Sequence, residues 1–343
     1  MSAREIRVGV IGLGFMGRAH TAHYESLPNA RVVAVADADP DRRRGGANVQ
    51  GNIEVPLPRL DVGTYQVFAD GRDLIREAEV DLVDICLPTY LHAEFAKLAA
   101  EAGKHVVVEK PMALTSQEAG QMVEAAKRNG VELMVAQCLR FWPEYVYLKE
   151  TVDSGRMGKL VKAEFVRRAA KPVWTWDGWM TDAVRSGGAM LDLHVHDVDY
   201  VNYLLGKPSR LYARALKTPA TGGYDLVSAL YTYEGGPEVL VDASWYQATT
   251  FDFRASYLAV FEEGLLHFDS TRKPTLHEHR VGQEVKEVSL EGDAYYRELE
   301  FFVNCLIEGR SPATVVAPES ARQSLELIEA ERRSAEAGQP VTP

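Results

Sequence analysis

Residues 6–17 read Ile6-Arg7-Val8-Gly9-Val10-Ile11-Gly12-Leu13-Gly14-Phe15-Met16-Gly17, an apolar run that turns directly into G-x-G-x-x-G. A helical pattern follows, then a second apolar run, Val32 to Ala36, closed by Asp37. Strand, glycine turn, helix, strand and acid, in that order, form the dinucleotide-binding fingerprint in its required context. Gly12 permits the tight turn, Gly14 lets backbone approach a pyrophosphate, and Gly17 lets helix and strand pack closely. The helix start, at Phe15 and Met16, turns free N–H groups and a positive dipole end toward the phosphates. Asp37 can accept hydrogen bonds from the adenosine ribose hydroxyls and would repel a 2′-phosphate, which favours NAD. Arg42, Arg43 and Arg44 follow closely enough to reach such a phosphate, so NADP stays possible.

The alternation continues downstream. Strand candidates are 6–11, 31–36, 80–87, 104–108 and 131–136. Between the last two, Thr115 and Glu118 form a T-x-x-E capping box, and Gly130 follows the last turn of the helix. Repeating βα units predict a parallel sheet covered by helices. Residues 42–66 are broken by glycines and prolines and read as an irregular excursion. From about 160 the pattern changes to successive strands, at 160–170, 209–216, 225–233, 237–246, 253–262 and 264–269, which predicts a mainly antiparallel sheet. A helix from Pro318 to Gly338 closes the chain. The expected organisation is therefore an α/β Rossmann domain over 1–138 and an α+β domain over 139–343.

The chain has 343 residues and a net charge of −11, which argues against a nucleic-acid or anionic-membrane partner. Three scattered cysteines, Cys86, Cys138 and Cys305, fit a reducing compartment better than a disulfide framework. The first apolar run is short, broken by glycine, and reads as a strand rather than a secretory signal. No stretch approaches the ~20 apolar residues of a membrane span. The expectation is a cytoplasmic protein.

Ligands of such sheets bind beyond the carboxyl ends of the strands. Two segments end strands there. Cys86-Leu87-Pro88-Thr89, with His92, passes beside the cofactor, and His92 itself reads as packing rather than as a catalyst. Glu109-Lys110-Pro111 delivers a lysine that can hydrogen-bond a substrate oxygen and lower the cost of charge on it. A surface lysine before a turn proline is the competing reading.

The densest polar cluster lies in 187–199. As a strand, Asp192, His194 and His196 would share a face and resemble a metal site. As a helix, Asp192 and His196 become an i, i+4 pair, and His194 points into the apolar stripe of Leu191, Val195 and Val198. The helical pattern down to Gly206 favours the second reading and no metal. Asp192 and His196 then make an acid–base pair, or a partly buried polar pair with no chemistry. Trp174, Trp176 and Trp179 precede this segment and suit either sugar C–H faces or an interface.

Together these pieces resemble the Gfo/Idh/MocA family of nicotinamide-dependent oxidoreductases. The resemblance rests on Gly12-x-Gly14-x-x-Gly17, Cys86-x-Pro88-Thr89-x-x-His92, Glu109-Lys110-Pro111, and Gly187-Gly188 leading to Asp192-x-x-x-His196-Asp197-x-Asp199. It implies a Rossmann domain followed by a large open sheet that commonly forms a subunit interface, hence a homodimer or homotetramer. It implies a secondary hydroxyl on a sugar, sugar acid or inositol as the substrate. Lys110, Asp192 and His196 match the family's catalytic group. The cofactor set is then Gly12, Gly14, Phe15, Met16, Gly17, Asp37, Leu87, Pro88, Thr89, His92, Glu109, Lys110 and Gln137. Arg140, Trp174, Trp176 and Trp179 join the catalytic group toward substrate. Relatives of this kind also include sugar-sensing proteins and glycosidases that retain their cofactor. Two features depart from the pattern: the glycine- and proline-rich region 42–66, and His194 where a small residue is usual and where it could narrow or polarise the pocket.

Overall fold

A computed structural model describes residues 5–46, 49–51 and 60–343. The chain divides into two compact units. The first comprises Met1–Cys138, Trp174–Asp177 and Tyr295–Arg322, and the second Leu139–Val173, Gly178–Ala294 and Gln323–Pro343. Two segments within the span expected as the second domain, Trp174–Asp177 and Tyr295–Arg322, group with the first unit.

The first unit alternates β1 (Ile6–Ile11), α1 (Phe15–Ser26), β2 (Ala30–Ala36), α2 (Pro40–Arg43), β3 (Gln66–Phe68), α3 (Gly71–Glu77), β4 (Leu82–Ile85), α4 (Thr89–Glu101), β5 (His105–Glu109), α5 (Ser116–Asn129) and β6 (Leu133–Ala136). Every pairing is parallel, in the order β3-β2-β1-β4-β5-β6. Strand order therefore reverses beside β1, where a crevice opens beyond the carboxyl ends of the strands. Helices on the faces bury β4 and β6 along their whole length; β6 reads as an unbroken apolar run, whereas β4 carries the buried Asp84. The α5 capping box forms as expected, and Gly130 closes the helix at φ 64°.

β3 and α3 were not among the strand and helix expectations. β3 is three residues long and partly exposed at the sheet edge, so it carries no hydrophobic alternation. Of the excursion at 42–66, residues 47–48 and 52–59 lie outside the described residues. Its ends hold the close of α2 and a 3₁₀ turn at Val62–Thr64.

The second unit holds α6 (Pro143–Ser154), β7 (Leu160–Arg168), α7 (Ala183–Ser186), α8 (Ala189–Asp192), α9 (Val195–Leu205), β8 (Arg210–Lys217), β9 (Tyr224–Thr232), β10 (Glu238–Ser244), β11 (Arg254–Phe261), β12 (Gly264–Asp269), β13 (Leu276–Arg280) and β14 (Lys286–Val288). Its sheet runs β14-β13-β12-β11-β7-β10-β9-β8, antiparallel except for β7 against β10. One face is apolar at alternate positions and packs a cluster of rings, Tyr145, Phe165, Tyr200, Tyr257 and Phe268. After β14 come α10 (Ala294–Glu308), α11 (Ala313–Val316) and α12 (Pro318–Ala337). α10, except its first residue, α11 and the first turn of α12 belong to the first unit, and the rest of α12 to the second. No described helix is long and apolar enough to cross a membrane.

Candidate active site

The glycine turn behaves as its spacing requires. Gly12 sits at φ 94°, a conformation that side chains resist, and its N–H donates to the Ala36 carbonyl at 2.7 Å. A Cβ on Gly17 would stand 1.7 Å from the Gly12 carbonyl oxygen, so the helix can approach the strand only without one. Gly14 differs. A Cβ there would meet nothing nearer than Arg42 Nη1, at 3.8 Å. The turn is therefore an open cradle above the start of α1, which has no side-chain cap and no acid in its first turn. Phe15 packs its ring against Gly51, and Met16 is half-buried beside it in the sequence.

Asp37 ends β2 in a buried position. Its carboxylate accepts from the Leu13 N–H at 2.7 Å and the Asp39 N–H at 2.8 Å, with Arg42 at 3.6 Å. At the end of β4, Pro88 precedes α4 as its cap residue, and the buried Thr89 hydroxyl has no hydrogen-bond partner among the described residues. An open glycine cradle and an orphaned hydroxyl, both at the carboxyl edge of the sheet, fit a dinucleotide with its phosphates on α1.

His92 is fully engaged. Nδ1 lies 2.8 Å from the Pro111 carbonyl and Nε2 2.7 Å from the Leu87 carbonyl. Two carbonyls ask for two N–H donors, but burial outweighs them and lowers the pKa of the ring. His92 therefore ties the loop after β4 to the loop after β5, and its ring has no edge left for a ligand. Glu109 is buried and accepts from the Lys110 backbone N–H at 2.9 Å. Lys110 joins Pro111 through a cis peptide. Gln137 is buried just past β6.

In the second unit, the helix expected through Asp192 and His196 is broken. α8 ends at Asp192, Leu193 and His194 form a turn, and α9 begins at Val195. Asp192 is buried, and His196 is the one partly exposed residue from Ala189 to Asn202. His194 does not join an apolar stripe or a pocket wall. Its Nε2 lies 3.0–3.1 Å from the Glu331 carboxylate of α12, which also accepts from the Tyr231 hydroxyl at 2.6 Å. All three side chains are fully buried. The strand-like set of Asp192, His194 and His196 as metal ligands does not form.

Arg140, expected to line the substrate cleft, is instead buried on Asp199, with Nε at 2.9 Å and Nη2 at 2.7 Å. Arg167 grips Asp197 in the same forked way, at 2.7 and 3.0 Å. These two pairs follow His196 directly and were missed from the sequence, because an arginine fork and its carboxylate lie far apart in the chain. Trp176 is 43% exposed at the start of a 3₁₀ turn, with Trp174 and Trp179 half-buried. Asp177, at φ 50°, is the non-glycine residue with positive φ among the described residues.

Residues 6–137 match the oxidoreductase family with an NAD-binding Rossmann fold, and residues 145–267 match the GFO/IDH/MocA C-terminal domain. The chain belongs to the Gfo/Idh/MocA family. Family members similar to it over nearly full length include myo-inositol 2-dehydrogenase of Thermotoga maritima, 27% identical over 96% of this chain and 96% of that protein. Another is the NAD-dependent scyllo-inositol 2-dehydrogenase of Bacillus subtilis, 28% identical over 98% and 96%. A levoglucosan dehydrogenase solved with NADH and L-sorbose has the same fold, with a TM-score of 0.86 at 23% identity and 99% coverage of both chains. Like these relatives, the protein is an oxidoreductase of the NAD-binding dehydrogenase type that acts on CH–OH groups.

Proposed function

We propose that this protein oxidises a secondary hydroxyl of a sugar, sugar acid or inositol, or runs the reverse reduction, with His196 as acid–base and Lys110 at the substrate oxygen. The exposure of His196 carries the reading. Of the fourteen residues from Ala189 to Asn202, His196 alone is partly exposed, at the start of α9 just ahead of the ion-paired Asp197 and Asp199. An imidazole in that state can take a hydroxyl proton near neutral pH. Lys110, at the carboxyl end of β5, donates to the same oxygen and offsets its developing charge. Asp192 orients the substrate and supports the charged form of His196. Bound NAD supplies the hydride acceptor, with Gly12, Gly14 and Gly17 at its phosphates and Asp37 at its ribose. Leu87, Pro88, Thr89 and Gln137 complete that side, and His92 shapes it through the backbone. Phe15 and Met16 open the helix that faces the phosphates. The exposed Trp176, next to the strained Asp177, is the foremost sugar contact, with Trp174 and Trp179.

The inositol dehydrogenases among the relatives support this substrate class. A cytoplasmic homodimer or homotetramer fits the second sheet, whose outer face leaves Leu216 and Leu230 exposed at 59% and 36%. Light scattering on the purified protein tests the oligomer. NADH formation against a panel of inositols, aldoses and sugar acids tests the reaction. One active substrate, with turnover abolished in Lys110→Ala and His196→Ala, is the expected result. Full turnover in Lys110→Ala would remove the assignment.

A further inference from the structure

His20 lies under the glycine turn, on α1, and is fully buried. Its Nδ1 is 2.9 Å from Asp84 Oδ2, and its Nε2 is 3.3 Å from Glu109 Oε1. Asp84 is on β4 and Glu109 on β5, so one imidazole stands between two carboxylates from neighbouring strands. Glu109 uses its other oxygen to accept the Lys110 backbone N–H. A chain of contacts thus runs from Asp84 through His20 and Glu109 to the main chain of Lys110.

A neutral imidazole sets no charge against the two carboxylates, whereas an imidazolium hydrogen-bonded to Asp84 offsets both; its Nε2 faces Glu109 at 3.3 Å without a hydrogen bond. Two buried carboxylates without a cation are costly. Cys86 also faces the ring, with Sγ 3.5 Å from Nδ1, but burial and Asp84 push its thiol pKa far up and keep it protonated. Tyr24 faces the same group, and burial and Asp84 hold its phenol protonated, with Glu298 adding to the negative field. The negative charge around the ring therefore comes from carboxylates. Burial opposes a charge on His20, and the Asp84 carboxylate favours one, through both its field and its hydrogen bond.

We propose that His20 is a positioning residue: a permanent buried imidazolium that holds Glu109, and through it the Glu109-Lys110 backbone, in place. The role of Lys110 in the reaction rests on the function proposed above; the charge on His20 does not. His20, Asp84 and Cys86 also offer nitrogen, oxygen and sulfur atoms within 4.8 Å of one another. The direct 2.9 Å contact between ring and carboxylate is a hydrogen bond, so a proton lies between Nδ1 and Asp84.

The charge is read first, without substrate or cofactor. Nitrogen-resolved NMR of the imidazoles in the full-length protein, with His20 assigned from His20→Gln, should show an imidazolium that persists at pH 8. A neutral His20 ring at pH 7, or a stoichiometric zinc ion in the purified protein, would overturn the proposal. Asp84→Asn removes one carboxylate and should bring the His20 titration down toward the ordinary range. It serves if His20→Gln does not fold, and an unmoved titration counts against the proposal.

The second reading is kinetic, in the NAD-dependent assay. His20→Gln should lower kcat by about 10- to 100-fold through displacement of Lys110. The loss relative to wild type should deepen as pH rises from 6 to 9, because Asp84 and Glu109 then ionise against each other with no cation between them. A loss of the same size at every pH is the mark of packing alone and refutes the positioning role. Lys110→Ala in the same assay separates the two ideas. Full turnover there fails the proposed function and leaves the NMR result on His20 standing.

Discussion

The two glycines of the turn make a paired experiment, because the structure assigns them opposite failures. In Gly17→Ala the new Cβ begins 1.7 Å from the Gly12 carbonyl oxygen, and contacts under 3.0 Å are not sustained. Helix and turn must separate by at least about 1.3 Å, and the obstacle is backbone, which has no rotamer to turn aside. Overpacking of this kind costs about 1–3 kcal/mol, and here it should reach the upper end. Gly14→Ala meets only the tip of Arg42, at 3.8 Å, and its φ of −70° suits any residue. The fold should therefore not notice it, with a stability change within about 0.5 kcal/mol. NAD should notice it, because the Cβ fills the cradle that the pyrophosphate needs. The assay is urea unfolding of each variant without cofactor, followed by NAD titration in a calorimeter. Gly17→Ala should lose stability first and affinity with it. Gly14→Ala should unfold like wild type and bind NAD at least tenfold more weakly. Wild-type NAD affinity in Gly14→Ala would refute the cradle, and wild-type stability in Gly17→Ala would refute the close approach.

Arg140→Ala strands the buried Asp199 carboxylate and should cost about 3–5 kcal/mol in urea unfolding; a loss confined to substrate KM would restore Arg140 to the cleft. Burial would raise the Glu278 pKa, but Arg156, Tyr147 and Arg280 together hold it down to about 2. A depressed carboxylate stabilises above its unfolded pKa and ceases to as pH falls through its folded one, so this contribution, about 3 kcal/mol, should fade between pH 4.5 and 2. Glu278→Gln should flatten that part of the stability–pH curve, and an unchanged slope would sink the assignment. Asp37→Ser frees Arg42 from its carboxylate and removes the charge that repels a 2′-phosphate. The NADP-to-NAD ratio of kcat/KM should rise at least tenfold, and an unmoved ratio would show that Asp37 does not select the cofactor.

What the sequence made legible was whatever is local. The Gly12–Gly17 turn, the Thr115–Glu118 capping box and the strands of the first sheet announce themselves by spacing within a few residues. β3 and β14 did not, because three-residue edge strands have too few positions to show alternation. The break between α8 and α9 was hidden for a different reason. Residues 187–206 keep helical periodicity, but His194 must turn its ring toward Glu331, which lies 137 residues away. The same distance in sequence concealed the roles of Arg140, Arg167 and His20. Arg140 was expected on the substrate side, and Arg167 and His20 carried no expectation; the tertiary fold sets all three against buried carboxylates.

These buried pairs share a consequence. Within five residues of His196, three charged side chains are withdrawn from water: His194 onto Glu331, Asp197 onto Arg167, and Asp199 onto Arg140. Ion pairs of this kind contribute little net stability compared with apolar packing of the same volume. They do fix direction. A forked arginine–carboxylate contact admits one geometry, whereas an aliphatic side chain slides over its neighbours. α9 also starts without a side-chain cap, and the contacts of its acids add to the backbone bonds that Asp197 and Val198 make to the His194 carbonyl. Asp197 and Asp199 lie about 200° apart on the helix and are held by different elements, the strand β7 and the 3₁₀ turn at Cys138–Arg140. Two such anchors stop the helix from rolling about its axis. A roll is the motion that would carry His196 away from its partly exposed position, so the ion pairs act on the one coordinate that its proposed acid–base role needs fixed.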